Sequence, residues 1–345
     1  MFDQHYKKES PTFTGITRGV GGFGFGASSA GGGGGGSKNI NLLINGKFGS
    51  AGNYTGADVA TYWANAVENN YSGQKTNEFV QTDFTRVGDG ILKFTLSAGT
   101  YKIYARSGDG SGNNHWTGHS VECNLTLTSD HGMLLLVPNH GMGSYAAGGG
   151  LFLISGTDYT DSTTNRAILI LGGGGGGYIY YNTFGQSGIL YNLLSSRKGP
   201  SSGTGGTYDG GAGWLNSYNV KPYGGIGGSY YAQRARHFVE GGSGGYGNAC
   251  SNPGGFGGGG GSCPAGAGGH LGGYPGTDGH NGGQGYGGSG NGANTGGGGG
   301  TSYYNTSYAP AVISNITNAN QGSISSTNHS SETASAQGYF GIYTV

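Results

Sequence analysis

Short apolar or alternating runs recur along the first half of the chain, each bounded by Gly, Asn, Asp or Ser. Residues 39–43, 78–84, 91–96, 100–105, 120–128, 133–137 and 151–155 have this form, which predicts β-strands. Strands at this spacing predict an antiparallel sandwich or jelly roll. One stretch departs from the pattern. Within 56–69, Val59, Tyr62, Trp63, Ala66 and Val67 fall on one helical face, which predicts a single short helix. Farther on, the apolar run at 166–171 predicts a strand that feeds straight into glycine, and 301–304 predicts another. At the end of the chain Phe340, Ile342 and Thr344 alternate with Tyr339, Gly341, Tyr343 and Val345. That alternation predicts a last strand returning to the first sheet.

Between these strands glycine changes the picture. It supplies 84 of 345 residues and forms unbroken runs at 172–177, 257–261 and 296–300, with an outlying run at 31–36. Glycine loses the most backbone freedom on folding and buries no side chain, so such a region is a linker unless backbone hydrogen bonds hold it. Linkers are poor in aromatics. Here Tyr178, Tyr180, Tyr181, Trp214, Tyr218, Tyr223, Tyr230, Tyr231, Tyr274 and Tyr286 stand among the glycines, and charged residues make up only 9% of the chain. The composition therefore predicts a folded glycine lattice. Collagen is excluded by the lack of a Gly-X-Y period and by only 8 prolines. Asp209 and Asp278 do not repeat on the nonapeptide of a calcium-binding β-helix.

A lattice has a physical route. Polyglycine can adopt the extended threefold helix of the polyproline II family, whose N–H and C=O groups point outward in three directions. Without Cβ atoms, neighbouring rods approach closely enough to pair those groups directly. Interior rods must then be unbroken glycine, and the aromatic-bearing connections form the surface.

The chain accordingly divides into an N-terminal arm (1–38), a β domain (39–156), a glycine-rich domain (157–305) and a Ser/Thr/Asn-rich tail with the returning strand (306–345). The arm is too short for a core of its own. Its spaced apolar pegs Phe13, Ile16, Val20, Phe23 and Phe25 suit a docking peptide ordered by a partner.

Charge and candidate chemistry narrow the function. The 16 basic and 16 acidic residues cancel, which argues against nucleic acid as a partner. No apolar run approaches the ~20 residues of a membrane span. The N-terminal residues lack the apolar core of a signal peptide, so synthesis in the cytoplasm is expected. Cys123 lies in an alternating run as a small buried residue, whereas Cys250 and Cys263 bracket a glycine loop, a spacing open to a disulfide or to two free thiols. His115 and His119 are four apart, but in a Gly/Asn-rich loop rather than on a helix, so no metal is expected. Asp109–Gly110 and Asp130–His131 read as turns. No phosphate loop or catalytic signature is present, and no cofactor is expected.

Two resemblances follow. RAILILGGGGGGYIYY, GGAGW around Trp214 and the segment from Cys250 through Phe256 to Cys263 resemble the extracellular glycine-rich domain of the anaplastic lymphoma kinase and leukocyte tyrosine kinase receptors. In that family an apolar strand runs into polyglycine, and a cysteine pair flanks a run of the GGFGGGGG type. AGTYKIYARSGDG and VECNLTLTSDHGMLLLVP are similar to the TNF-like β-sandwich that precedes it there, and the resemblance as a whole spans roughly residues 90–305. This implies an all-β chain: a TNF-like jelly-roll sandwich followed by a bundle of polyglycine II helices. The TNF likeness leaves a homotrimer open. Neither a kinase nor a membrane span is expected from these residues, so receptor signalling is not implied. The second resemblance is architectural, to the glycine-rich adhesins at phage tail-fibre tips, which present variable aromatic loops on polyglycine rods.

The expected function is that of a non-enzymatic virion surface protein, a tail-fibre or tail-tip adhesin. The arm would dock on other tail or capsid proteins, and the ten lattice aromatics named above would contact a host surface protein or glycan, since rings on rigid loops give large contact at low entropic cost. A structural virion or filament component and a secreted or cell-surface protein-binding module are the alternatives.

Overall fold

The computed structural model describes residues 37–46, 66–67, 75–111, 118–142, 146–176, 189–190, 212–214, 231–233, 235–247, 252–260, 269, 300–307, 309–319 and 337–345. Its strands are β1 (Asn41–Asn45), β2 (Ala66–Val67), β3 (Thr85–Val87), β4 (Ile91–Leu96), β5 (Gly99–Arg106), β6 (Ser120–Leu127), β7 (His131–Leu136), β8 (Leu151–Ser155), β9 (Arg166–Leu171), β10 (Ile189–Leu190), β11 (Tyr231–Gln233), β12 (Tyr246–Gly247), β13 (Asn252–Pro253), β14 (Thr301–Tyr304), β15 (Ala311–Ala319) and β16 (Tyr339–Thr344). The protein is all-β. A six-stranded sheet has the order β15-β6-β5-β16-β1-β2, a seven-stranded sheet the order β10-β14-β9-β8-β7-β4-β3, and β11, β12 and β13 form a small third sheet. Pairing is antiparallel except between β10 and β14.

Alternation explains how the two large sheets meet. Leu42 and Ile44, Ile103, Leu125, Phe340 and Ile342 of the six-stranded sheet share one core with Phe94, Met133, Leu135, Leu153 and Leu169 of the seven-stranded sheet. The intervening residues of the seven-stranded sheet are also buried. Ile91, Leu134, Leu136, Phe152, Ile154 and Ile170 form a second cluster with Trp214, Phe238 and Phe256, which come from the glycine-rich region. The sheet therefore has a layer on each face, which is why β7, β8 and β9 read as unbroken apolar runs. Burial of a large apolar side chain is worth roughly 1.5–3 kcal/mol, so the three rings contribute on the order of 5–9 kcal/mol to holding the second layer.

That second layer is knit by backbone. Residues 146–150 lie at its centre and bond to four other segments. Gly108 N–H donates to Gly149 O (2.9 Å), and Gly149 N–H donates to Asn139 O (3.0 Å). Gly148 N–H donates to Gly174 O (2.9 Å), and Gly174 N–H donates to Gly108 O (3.0 Å). On the other side Gly255 N–H reaches Ala147 O (2.9 Å), Ala147 N–H reaches Gly260 O (3.1 Å), and Gly150 N–H reaches Gly257 O (2.9 Å). Side chains would prevent this. A Cβ on Gly148 would strike Gly108 O, one on Gly149 would strike Phe256 O, and one on Gly259 would strike Ala147 O. Gly257 (φ 105°) and Gly258 (φ 82°) also take left-handed conformations in the turn that swings Phe256 under the sheet.

Two expectations are corrected. Ala66–Val67 pairs with Leu43 and Ile44 of β1 as a strand, so the apolar periodicity of 56–69 does not end in helix, and the rest of that stretch lies outside the described residues. Residues 78–84 are not a strand. Asp83 accepts from Val80 N–H (2.8 Å) and Phe84 N–H donates to Gln81 O (3.1 Å), closing a 3-10 turn at Gln81–Asp83 that lets both Phe79 and Phe84 enter the core. These local bonds compete with ladder formation.

The sheets have a polarity. β1, β5, β7, β9 and β15 run toward one end, and β4, β6, β8, β14 and β16 run back. Gly46, residues 107–111, 118–119, 137–142, 146–150 and 172–176, and Gly338 are all at the far end. The near end holds short turns and the start of β1, where Thr344 N–H donates to Ile40 O (2.8 Å).

Two measurements test the backbone layer. Amide exchange at Gly148, Gly149, Gly174 and Gly255 is expected to be slowed to the level of the core strands, and random-coil rates there would refute the layer. Gly259→Val is expected to cost about 3 kcal/mol or more by forcing paired backbones apart. Gly341→Ala, whose Cβ meets nothing closer than 3.4 Å, is expected to stay within about 1 kcal/mol of the parent in denaturant melts.

Candidate functional site

At the far end the described chain supplies fixed points from which the glycine-rich stretches depart. Gly176, Ile189–Leu190, residues 212–214, Tyr231–Gln233, Gly260, Gly269 and Gly300 are such points. Ala212 N–H is held by Gly258 O (2.7 Å), Gly269 N–H by Ala212 O (3.3 Å) and Gly300 N–H by Gly173 O (3.1 Å). β10 is held alongside β14.

A buried polar network pins this end to both sheets. Ser302 Oγ lies 2.5 Å from His119 Nδ1 and accepts from Gly172 N–H at 2.9 Å. Ser107 Oγ donates to Gly172 O (2.6 Å), as does His119 N–H (3.1 Å). Tyr304 OH lies 3.3 Å from His119 Nε2, and burial raises that phenol's pKa. A serine beside a histidine has the reach of a nucleophile and its base. Here Ser302 is 0% exposed and His119 1%, and the serine oxygen is already committed to Gly172. The arrangement joins the starts of β6 and β14 to the end of β9.

Beside it Arg106 Nη2 reaches both oxygens of the buried Asp109 carboxylate (2.7 and 2.6 Å), and Gly118 N–H donates to the same carboxylate (2.7 Å). Asp109, expected as a turn residue, is therefore a buried charge satisfied by a guanidinium and a backbone amide. Neither group announces itself in the sequence beyond an Arg and an Asp three residues apart. Cys123 is a buried free thiol, as its alternation predicts, and burial pushes its pKa up to about 12.

The predicted recognition residues separate. Trp214 is 4% exposed and packs on Phe238 with ring centroids 5.7 Å apart, so this ring holds the layer to the sheet instead of standing on its surface. Its neighbour Phe238 in turn meets Phe152 of β8 at 5.4 Å. Tyr231 begins β11, paired with β12. Tyr178, Tyr180, Tyr181, Tyr218, Tyr223, Tyr230, Tyr274 and Tyr286 lie outside the described residues, as do the arm residues Phe13, Ile16, Val20, Phe23 and Phe25 and the pair Cys250 and Cys263. Among the described residues no group of three His, Cys, Asp or Glu is arranged to hold a metal, and no helix is long and apolar enough to cross a membrane.

Compared with known proteins, the chain matches no family model and no curated protein.

The site's packing yields a direct test. Trp214→Ala is expected to destabilise the fold by about 3–5 kcal/mol, as for other buried aromatic truncations. Ser302→Ala is expected to cost about 1–3 kcal/mol by stripping the partner of Gly172 N–H. Both appear as lowered unfolding midpoints, and an unchanged midpoint in either variant would overturn its assigned role.

Proposed function

We propose that the chain is a non-enzymatic virion surface protein, a phage tail-fibre or tail-tip adhesin. On this reading the N-terminal arm docks on tail or capsid proteins and the glycine-rich region presents loops to a host surface protein or glycan. One observation carries the reading. The described chain enters β1 at the near end, whereas the fixed points of the tyrosine-bearing stretches are at the far end. Entry to β1 and departure into the tyrosine-bearing stretches thus lie at opposite ends of the sheets, which suits a protein held at one end and binding at the other.

In finer detail, the two sheets are read as a TNF-like jelly roll and the glycine layer as a bundle of polyglycine II helices. The bonds from residues 146–150 to four surrounding segments support the second reading, because a threefold rod offers pairing groups in several directions. Contact falls to the tyrosines, from Tyr178 to Tyr286, with Trp214 left to packing. Loops set on a rigid scaffold are the usual carriers of binding.

Deleting residues 1–25 is expected to abolish incorporation into particles while the purified protein still binds susceptible cells. Replacing Tyr230 and Tyr231 together by alanine is expected to do the reverse, leaving assembly and the unfolding midpoint intact and weakening cell binding. Particles that lack the protein but adsorb normally would overturn the adhesin reading.

A further inference from the structure

The six-stranded sheet contains a slot that only the last strand fills. β16 pairs with β5 through six residues, from Tyr339↔Arg106 to Thr344↔Tyr101, and with β1 through five, from Tyr339↔Asn45 to Tyr343↔Asn41. Its Phe340 and Ile342 drop into the inter-sheet core at 0% and 1% exposure. On the outer face Tyr343 stacks on Tyr104 (5.7 Å) and donates to its hydroxyl (3.0 Å). Among the described strands, β1 has no other partner except the two-residue β2. The sheet is therefore complete only when a strand of this sequence occupies the slot.

The connection does not dictate which molecule supplies that strand. β15 ends and β16 begins at the same end of the sheet, three strand spacings apart, or roughly 14 Å. The intervening residues 320–336, NQGSISSTNHSSETASA, have linker composition. Seventeen residues can span at most roughly 55 Å, enough to reach the chain's own slot or a neighbour's, and own-chain closure is favoured until the protein concentration nears the tether's effective concentration, on the order of millimolar. Simple edge pairing between copies is blocked at β15, where the register slips between Ser314 and Thr317 and Asn315 takes φ 50°.

We propose that the slot between β1 and β5 accepts Tyr339–Thr344 from a second copy of this chain, so that copies link by strand exchange. The exchanged strand makes the same ladder bonds and core contacts as its own-chain counterpart. The balance between the two forms is therefore set by protein concentration against tether entropy. This inference does not depend on the adhesin reading.

The test uses full-length chains with Cys250→Ser and Cys263→Ser, keeping the buried Cys123. A Cβ placed on Gly341 lies 3.5 Å from Tyr104 Cβ, within the range of a disulfide. Chains carrying Tyr104→Cys and chains carrying Gly341→Cys, differently tagged, are refolded together and oxidised. The expected result is a disulfide-linked heterodimer about tenfold more abundant than from a control pair of Thr126→Cys and Gly341→Cys, with a yield that rises with concentration. The double variant closes within one chain and confirms the bond geometry. A mixture that links no better than the control at any concentration, while the double variant closes, overturns the proposal. So does unsubstituted protein that stays monomeric in size-exclusion chromatography after refolding at high concentration.

Discussion

Both faces of β7, β8 and β9 are apolar, so the seven-stranded sheet is stable only with a layer on each. Met133, Leu135 and Leu153 face the first layer, and Leu134, Leu136, Phe152 and Ile154 face the second. A second sheet or a helix is the ordinary answer to such a face. Here the answer is a mat of nearly bare backbone, carrying Trp214, Phe238 and Phe256 as plugs. The mat has little apolar surface of its own, so these few rings fix its position and backbone pairing fixes its internal order. Each half needs the other. Without the rings the mat would separate from the sheet, and without the pairing its buried N–H and C=O groups would each cost a lost hydrogen bond.

The same constraint explains the polar groups at the far end. Where the strands give way to glycine, ladder bonding stops, and the freed backbone must find partners elsewhere. Gly172 does so through Ser302 Oγ, Ser107 Oγ and His119 N–H, and Gly118 through the Asp109 carboxylate. Side chains thus satisfy the backbone where two kinds of pairing meet. Arg106 then neutralises the one carboxylate that this arrangement buries. Ser302 and His119 lie far apart in sequence, yet together they join β14 to β6 and β9.

Much of the sheet structure was legible because alternation is a local signal. Ile91–Leu96, Leu151–Ser155, Arg166–Leu171 and Thr301–Tyr304 stand where their apolar runs predict them. Illegible parts are those decided by partners distant in sequence. Ala311–Ala319 hides in a Ser/Thr/Asn-rich tail because, among its described side chains, Ala311, Ile313 and the partly buried Ile316 are the ones that join the apolar core. Ala66–Val67 looks helical until β1 is beside it. Trp214 looks like a recognition residue because glycine neighbours suggest exposure, and only the back of β8 and the ring of Phe238 show otherwise. A glycine run has no pattern from which to tell which face of it is covered.

The mat also divides the chain's tolerance to change in an unusual way. In an ordinary core a substitution alters side-chain packing, and neighbours can shift to absorb it. In the mat the close contacts are between backbones. A Cβ on Gly110 meets Gly175 O, one on Gly244 meets Gly254 O, and one on Gly254 meets Gly259 O. A carbonyl that moves aside gives up its own hydrogen bond, so strain at one glycine spreads to the segments around it. Positions whose backbones pair in the mat therefore demand glycine, and the strain of replacing one is shared by every segment bonded to it.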